Sequence, residues 1–365
     1  MIRDYRSFLV INPFGIGDCL FSTPLLQCLR SRYPSARIYF LCNKKCYPVM
    51  SGHPLVEKAF VYERDEFVAA WNKSIFTWLS KAAGFISEIR RERIEVCLDL
   101  SLNTQYGFYA YLAGIPNRLG LDYKKRCFFL NKKKLIDGFL GRHVADFYLS
   151  VVEFLGLETG QYPMSVGIDA RDRDWARGWL QASGIGAAQT IVGIAPCGGD
   201  SFGPNACIRR WPAEYYSSLI SHLRSTYDAA VLVFAGPRES EDVAGIIRAS
   251  GEKEGVYDLS SVTLGQTIAL ISHCTLFIGN DTGALRFADA LQKKLIAFYG
   301  PADDNVYGPY PPDPVRKIVL RSDVECSPCY RNFRLPVCAH DRACMRNIPV
   351  ETACAAVKKA LEDRS

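Results

Sequence analysis

Short apolar runs of five to seven residues alternate with longer segments of helical periodicity along this chain, and the alternation occurs twice. The predicted strands span residues 7–12, 37–42 and 96–100 in the first half, and 190–195, 229–235, 275–279 and 294–299 in the second. Strands that alternate with helices favour parallel sheets covered by helices. The sequence therefore predicts an α/β fold with two Rossmann-like, doubly wound parallel-sheet domains.

The length of 365 residues also argues for two domains, since one domain usually takes 100–200 residues. Gly, Pro and Gln interrupt the pattern around 158–171, so we place the boundary between a first domain, 1–170, and a second, 171–365. Two such halves joined by a linker leave a cleft, and parallel sheets bind ligands at the carboxyl ends of their strands.

Composition narrows the class of protein further. Hydrophobic residues make up 48% and charged residues 22%, which is typical of a globular protein and excludes a disordered or fibrous chain. No apolar run approaches the roughly 18–20 residues of a membrane-spanning helix. With no recognisable leader and fourteen cysteines, mostly in apolar runs, we expect a protein of the reducing cytoplasm.

The segment 66–93 has apolar residues at helical spacing. We interpret it as one helix that covers the first sheet, with a helix resting on a membrane surface as the alternative.

The excess of positive over negative charge lies entirely in the first half of the chain. Residues 1–170 hold 22 Lys and Arg against 16 Asp and Glu, whereas 171–365 hold 22 of each. The excess is greatest over 118–142, which includes Lys132, Lys133, Lys134 and Arg142. Such a block would attract an anionic partner, and a solvated loop is the alternative.

A glycine loop follows the first strand. Gly15 and Gly17 begin a dinucleotide-binding pattern, but Leu20 stands where its third glycine would be, so the pattern does not favour NAD. The two glycines let the backbone turn tightly and leave Asp18 at a strand end beside a helix start. A plain helix cap is the alternative for an isolated Asp in this position.

Three small-residue loops follow strands in the second half and would converge at one edge of the sheet. They contain Gly198 and Gly199, Gly236, and the run Asp281, Thr282 and Gly283. A small-residue turn before a helix presents backbone N–H groups to a phosphate. The guanidinium groups of Arg209 and Arg210 suit a pyrophosphate.

In their order along the chain, these motifs resemble glycosyltransferase family nine, the heptosyltransferase family of lipopolysaccharide synthesis. The matching motifs are Gly15-Ile16-Gly17-Asp18, Thr23-Pro24-Leu25-Leu26, Gly52-His53-Pro54, Leu98-Asp99-Leu100, Gly114-Ile115-Pro116, His143, Arg209-Arg210-Trp211-Pro212, Gly279-Asn280-Asp281-Thr282-Gly283, Tyr299-Gly300-Pro301 and Cys326-Ser327-Pro328-Cys329. The resemblance implies a GT-B fold, in which 1–170 bind the acceptor and 171–365 bind a nucleotide sugar. It also implies an inverting transfer with no obligatory metal.

The resemblance implies three roles by position: Asp18 as the general base, Arg209 as the pyrophosphate contact, and Asp281, Thr282 and Gly283 as the donor loop. The loops and the basic block described above complete the expected site. The expected donor-binding residues are Gly198, Gly199, Arg209, Arg210, Gly236, Glu239, Asp281, Thr282 and Gly283. The expected acceptor-binding residues are Gly15, Gly17, Lys132, Lys133, Lys134 and Arg142. The family usually has Lys at the position of Arg209, His at that of Arg286 and Gly at that of Cys197.

The function implied is transfer of a sugar, heptose from ADP-heptose above all, to a hydroxyl of a lipopolysaccharide-core or related anionic glycolipid. The expected setting is the cytoplasm with peripheral contact at the inner membrane surface, and no nucleic acid is involved. The alternatives are a non-catalytic nucleotide-sugar-binding protein and an epimerase that shares the GT-B fold.

Four cysteines cluster in the tail at Cys326, Cys329, Cys338 and Cys344, with two, eight and five residues between successive members. We expect a structural clip there. A zinc site, disulfides and free thiols all fit this spacing.

Overall fold

The computed structural model describes residues 3–198 and 207–362, which fall into two compact units, Met1–Gly167 and Ile168–Ser365. This division lies three residues before the predicted boundary. Gly199, predicted at the donor site, lies outside the described residues.

The first unit has a parallel sheet with helices packed against it. Its strands are β1 Ser7–Ile11, β2 Arg37–Cys42, β3 Lys58–Val61, β4 Val96–Asp99, β5 Asn117–Tyr123 and β6 Lys132–Ile136. Its helices are α1 Ile16–Phe21, α2 Thr23–Arg32, α3 Tyr47–Ser51, α4 Arg64–Lys73, α5 Ile75–Arg91, α6 Thr104–Leu112 and α7 Val144–Leu149. The strand order is β3-β2-β1-β4-β5-β6, so β1 and β4 are neighbours at the point where the order reverses.

The second unit repeats this plan. Its strands are β7 Ile191–Ala195, β8 Ala230–Val233, β9 Val256–Asp258, β10 Leu276–Asn280, β11 Lys294–Phe298 and β12 Lys317–Leu320. Its helices are α8 Ala170–Ala182, α9 Ala213–Tyr227, α10 Ser240–Ser250, α11 Leu264–Ile271, α12 Gly283–Ala290, α13 Asp304–Tyr307, α14 Ala343–Arg346 and α15 Val350–Glu362. The order β12-β11-β10-β7-β8-β9 again reverses at one point, between β7 and β10.

The central strands are apolar because both faces of each sheet are covered. Every residue of β1, β7 and β10 is buried. Close pairing leaves little space at some positions: a Cβ added to Gly120 in β5 would meet the Asp99 carbonyl oxygen at 2.2 Å. The loops at the carboxyl ends of β1, β4, β7 and β10 therefore start from rigid strands.

Two regions differ from the sequence-based prediction. The segment predicted as one helix over 66–93 is two helices, α4 and α5, because Ser74 is extended and ends the first. The lysines at 132–134 lie in the edge strand β6, whereas the alternative interpretation of this basic block was a solvated loop. The aromatic residues of the first segment therefore lie on helices, and the lysines of the second lie on a strand.

Among the described residues, no helix has the length and apolar character that crossing a membrane requires.

Candidate active site

The loop after β1 is held by two buried or half-buried asparagines. The Asn12 amide donates to the Asp18 carbonyl oxygen at 2.9 Å, and its side-chain oxygen accepts the Phe14 N–H at 3.3 Å. Asn43, after β2, donates to the carbonyl oxygens of Pro13 and Phe14 at 3.0 and 2.7 Å. These bonds fix the backbone that carries Asp18.

Two thiols complete this support. Cys19 Sγ lies 3.5 Å from the Asn12 carbonyl oxygen, and Cys46 Sγ lies 3.3 Å from that of Phe14. Burial raises the pKa of the Cys19 thiol well above its ordinary value. The thiol therefore stays protonated and can act as a weak donor to the backbone. Neither contact could be predicted from the sequence, in which most cysteines simply stand in apolar runs.

Asp18 lies in the first turn of α1, together with Gly17 and after the Gly15 cap. Its side chain is half-buried, and the Tyr148 hydroxyl can donate to Asp18 Oδ1 at 3.5 Å. The structure thus brings Gly15, Gly17 and Asp18 together as predicted, and Tyr148 of α7 joins them. His143 caps α7 by accepting the Ala145 N–H at 3.1 Å.

The end of β4, next to β1, carries a second carboxyl group. Asp99 is fully buried, and its Oδ1 accepts the Ser101 N–H at 2.8 Å. Burial raises the pKa of Asp99 to about 6, although the bonds from Ser101 act in the opposite direction. Asp18 is the more accessible of the two carboxyl groups, which favours it as the group that meets a substrate.

Two of the four predicted acceptor-binding cations form ion pairs within the first unit. Lys133 Nζ lies 2.8 Å from Asp122, whose side chain is 1% exposed, and Lys134 Nζ lies 2.6 Å from Glu153. Burial opposes ionisation of Asp122, but the bond and charge of Lys133 together with the backbone N–H groups of Cys127 and Arg126 outweigh it and lower the pKa of Asp122.

The third lysine and the predicted arginine have uncharged neighbours. Lys132 Nζ approaches the Phe154 carbonyl oxygen at 3.5 Å. Arg142 lies over the Phe147 ring at 4.3 Å and is exposed in the loop after β6. Of the four predicted acceptor-binding cations, Arg142 is therefore the best placed to meet an anion.

In the second unit, Asp281 follows β10 and is held by two arginines. Arg209 Nη1 donates to the Asp281 carbonyl oxygen at 2.7 Å and lies 3.2 Å from its Oδ2, while Arg286 donates to Oδ1. Arg209 also donates to the Gly198 carbonyl oxygen at 3.2 Å. The predicted residues Gly198, Arg209 and Asp281 therefore meet at the ends of β7 and β10.

Arg286 is almost fully buried in α12. Besides Asp281 it donates to the Tyr299 hydroxyl at 2.7 Å and to the carbonyl oxygens of Tyr307 and Gly308. Burial disfavours its charge, but Tyr299 and Asp281 outweigh that effect and keep the pKa of Arg286 above its ordinary value. Among the residues that the structure describes, two guanidinium groups and one carboxylate give this cluster one net positive charge.

The start of α12 adds backbone donors. Thr282 caps the helix by accepting the Leu285 N–H at 3.5 Å, and Gly283 is the first helical residue. The N-terminus of a helix carries a partial positive charge that favours an anion. It therefore acts in the same direction as the net charge of the arginine cluster.

Arg210 has different neighbours from Arg209. It lies 3.0 Å from Glu239 and 2.8 Å from Asp242, while the other Glu239 oxygen accepts the Gly236 N–H at 3.2 Å. The structure brings Gly236, Glu239 and Arg210 together after β8 as predicted. Two carboxylates lie beside Arg210, however, so of the two arginines Arg209 is the better placed for the predicted pyrophosphate contact.

Asn280, which the sequence analysis did not single out, connects the loops of this site. It is buried at the end of β10, donates to the Pro196 carbonyl oxygen at 2.7 Å and accepts the Trp211 N–H at 3.0 Å. Trp211 stacks on Phe298 with ring centroids 4.3 Å apart. A polar residue that ends an apolar strand, as Asn12 and Asn280 do, is the sequence signal that could have found both.

The four tail cysteines and His340 line a cavity of about 160 Å³. All four are free thiols. Across residues 3–198 and 207–362, the structure holds no group of three or more His, Cys, Asp or Glu that could bind a metal ion. The zinc site considered for Cys326, Cys329, Cys338 and Cys344 is therefore unsupported.

Comparison with known proteins gives the same family as the motifs. The family described as "Glycosyltransferase family 9 (heptosyltransferase)" matches residues 83–336. Lipopolysaccharide heptosyltransferase 2 of Escherichia coli K12 is 25% identical over 324 residues, which is 82% of this chain and 84% of that enzyme.

Solved structures with the same architecture cover the chain nearly end to end. The glycosyl transferase family 9 protein of Veillonella parvula superposes with a TM-score of 0.78 at 23% identity, covering 100% of this chain and 99% of that one. The E. coli ADP-heptose lps heptosyltransferase II superposes with a TM-score of 0.72 at 20% identity, covering 98% and 100%. The predicted α/β fold class of GT-B type is confirmed.

Proposed function

The chain belongs to glycosyltransferase family 9, the heptosyltransferase family of lipopolysaccharide core synthesis, and we propose that its own reaction moves heptose from ADP-heptose to a glycolipid hydroxyl. The donor is inferred from the E. coli relative whose structure is described as an ADP-heptose lps heptosyltransferase. The acceptor is a lipopolysaccharide-core or related anionic glycolipid. The enzyme is a glycosyltransferase.

One feature of the second unit supports this activity most. Arg209 and Arg286 hold Asp281 between them beside the first turn of α12, and the cluster keeps one net positive charge. A nucleoside diphosphate that leaves an anomeric carbon gains negative charge as the bond breaks. Fixed donors placed where that charge develops stabilise the transition state more than the ground state.

Asp18 takes the proton in this mechanism. The acceptor hydroxyl transfers its proton to the Asp18 carboxylate while its oxygen attacks the anomeric carbon from the side opposite the diphosphate. One carbon–oxygen bond forms, the bond to the diphosphate breaks, and the configuration inverts. The bonds from Asn12 and the thiols of Cys19 and Cys46 keep the loop of Asp18 fixed, which favours a productive geometry.

The remaining predicted residues are proposed to position the two substrates. In the second unit, Gly198, Gly236 and Glu239 lie at the same edge of the sheet as the arginine cluster, so the nucleotide would lie along them. In the first unit, Arg142 would meet an anionic group of the acceptor. Lys133 and Lys134 would act less directly, since each already faces a carboxylate.

Acceptor-dependent release of ADP tests the proposal. The purified protein is incubated with ADP-heptose and a heptose-free lipopolysaccharide acceptor, and ADP and the mass of the glycolipid are measured. We expect ADP and a product heavier by one heptose, in equal amounts, both with and without a chelator. Asp18→Asn is the matched control, which should bind ADP but turn over slowly.

Three results would contradict the proposal in different ways. Donor binding without turnover on any acceptor would indicate the non-catalytic nucleotide-sugar-binding protein. An isomerised nucleotide sugar in the absence of acceptor would indicate the epimerase. Turnover lost in the chelator and restored by a divalent ion would show that a metal takes part.

A further inference from the structure

The helical pair of α4 and α5 leaves apolar side chains uncovered at its turn. Trp71 on α4 is 57% exposed, and Phe76 on α5 is 79% exposed. We call these residues, with their exposed neighbours, the hairpin tip: Val68, Trp71, Lys73, Ile75, Phe76 and Leu79. The second half of α5 packs on the sheet through Ala82, Phe85 and Ile89, so only its first two turns are uncovered.

The tip is firmly built despite its exposure. Ser74 Oγ accepts the N–H groups of Phe76 and Thr77 at 3.1 and 3.2 Å and so caps α5. The rings of Trp71 and Trp78 meet edge to face with centroids 5.6 Å apart, which joins the two helices. The apolar side chains are thus presented on two fixed helix ends.

The charge around the tip has one sign. Residues 67–87 contain no Asp or Glu, and their two charged residues are Lys73 and Lys81. Lys81 pairs with Glu66 at 2.7 Å, while Lys73 is exposed at the turn itself. A partner must therefore accept bulky aromatic side chains and tolerate or attract positive charge.

We propose that the hairpin tip binds the surface of an anionic phospholipid bilayer. Tryptophan is enriched at membrane interfaces, where its apolar ring and polar N–H meet matching surroundings. Helices with aromatic and leucine side chains on one face and lysines nearby bind such surfaces through apolar insertion and attraction to lipid headgroups. Two interpretations of the segment 66–93 were given above, a helix that covers the sheet and a helix that rests on a membrane. In this proposal the first turns of α5 contact the membrane, and the rest of α5 covers the sheet.

The tip also lies toward the side of the sheet that carries Asp18. The carboxyl end of α5 leads into β4 at the amino edge of the sheet, so its other end points toward the carboxyl edge. At 1.5 Å per residue the 17-residue α5 is about 25 Å long, whereas the four residues of β4 span about 13 Å. The tip therefore reaches past the carboxyl edge, where Asp18 follows β1. If the proposed function holds, a membrane-anchored acceptor would be met at that edge.

Vesicle sedimentation of the full chain tests the binding surface. Phosphatidylcholine vesicles with and without phosphatidylglycerol are mixed with the wild type and with the double variant Trp71→Ser, Phe76→Ser. We expect the wild type to sediment with the anionic vesicles and the double variant to bind them roughly tenfold or more weakly. Lys73→Glu should weaken binding at low salt and less so at high salt.

The matched control removes exposed apolar side chains elsewhere. Val315 and Val337, both in the second unit, are 51% and 92% exposed. The double variant Val315→Ser, Val337→Ser should bind vesicles like the wild type. Brominated lipids should quench tryptophan fluorescence in the wild type, and less in the Trp71→Ser, Phe76→Ser variant.

Several outcomes would overturn the proposal. The first is that the wild type does not bind anionic vesicles. The second is that the Trp71→Ser, Phe76→Ser variant binds them as well as the wild type does. The third is that the wild type forms a dimer in lipid-free sedimentation velocity and the double variant does not. The last result would make a second copy of the chain the partner. If circular dichroism shows that the double variant is misfolded, the proposal is tested by vesicle binding of Lys73→Glu and by the fluorescence quenching of the wild type. Turnover on a delipidated acceptor is measured in parallel, because its absence would contradict the proposed function but not the binding surface.

Discussion

Replacing Arg209 by Ala should weaken ADP binding strongly. If this arginine only supported the fold, the same substitution would lower the stability and leave the ADP affinity of the folded protein nearly unchanged. Arg209 contributes one of the two positive charges beside Asp281 and donates to the carbonyl oxygens of Asp281 and Gly198. Without it, Arg286 and Asp281 balance each other, and the net positive charge at the start of α12 disappears. The diphosphate would then lose a charged donor and the favourable local field together.

The size of the effect follows from those contacts. A hydrogen bond to a charged group contributes about 1.5–3 kcal/mol, which corresponds to roughly a 10- to 150-fold loss of affinity. The two carbonyl oxygens left without Arg209 also cost stability, about 1–3 kcal/mol for each group that stays buried and unpaired. Arg209→Lys keeps the charge but cannot reach both carbonyl oxygens, so its ADP affinity should lie between those of the wild type and Arg209→Ala.

Isothermal titration calorimetry with ADP measures the affinity, and urea unfolding measures the stability. The matched control is Arg224→Ala, because Arg224 is also largely buried and contacts a carboxylate and a carbonyl oxygen, those of Asp228 and Ala229, at 3.0 and 2.9 Å. It precedes β8 at the amino edge of the sheet, so its loss should cost stability and leave ADP affinity unchanged. Equal losses of affinity in both variants would show that unfolding, not charge, is responsible. Unchanged affinity in Arg209→Ala would place the diphosphate elsewhere.

Three further outcomes are expected. Asp18→Asn should lower kcat by roughly 10²-fold or more and leave the ADP affinity intact, in an assay of acceptor-dependent ADP release; near-normal kcat would remove its role as base. Burial raises the pKa of Asp99 to about 6, so the cost of ionising this carboxyl group lowers the unfolding free energy as the pH rises from about 4 to about 6. Burial also lowers the pKa of His53 to about 4, which acts in the opposite direction over the same pH range, so the effect of Asp99 is read from the difference between the wild type and Asp99→Asn. By urea unfolding, Asp99→Asn should gain about 2–3 kcal/mol over the wild type between pH 4 and pH 7, and a difference that does not change with pH would refute the assignment. Arg142→Gln should raise the KM for an anionic acceptor, less so at high salt, whereas a change in donor KM alone would argue against acceptor binding.

The sequence predicted the inner strands well because both of their faces are buried. The predicted ranges for β1, β2, β4, β7, β8, β10 and β11 each overlap the observed strand, and the range for β2 is identical. The sequence-based prediction missed the edge strands β3, β6, β9 and β12, whose sequences are polar or short, and one inner strand, β5, in which Asn117, Arg118 and Asp122 interrupt the apolar residues. In the same way, Trp71 and Phe76 fit a helical pattern but lie beyond the part of the hairpin that meets the sheet.

The candidate site was predicted where function depends on a local motif and missed where it depends on distant partners. Asp18 and Asp281 follow strands within small-residue loops, which the sequence shows directly. Tyr148, by contrast, approaches Asp18 from 130 residues away. The salt bridges that engage Arg210 and Lys133 join residues on different elements, 29 and 11 positions apart, so the sequence around each cation does not show that it is paired.

The lysines of β6 also protect the first unit from aggregation. β6 is an edge strand, and an unpaired edge can add strands from another molecule and begin aggregation. Long charged side chains at Lys132, Lys133 and Lys134 oppose such pairing, and Lys133 also satisfies the carboxylate of Asp122. Neutralising all three to probe acceptor binding would expose the edge and unpair that carboxylate. If such a variant precipitated, the cause would be aggregation through this edge, and the result would say nothing about recognition of the glycolipid.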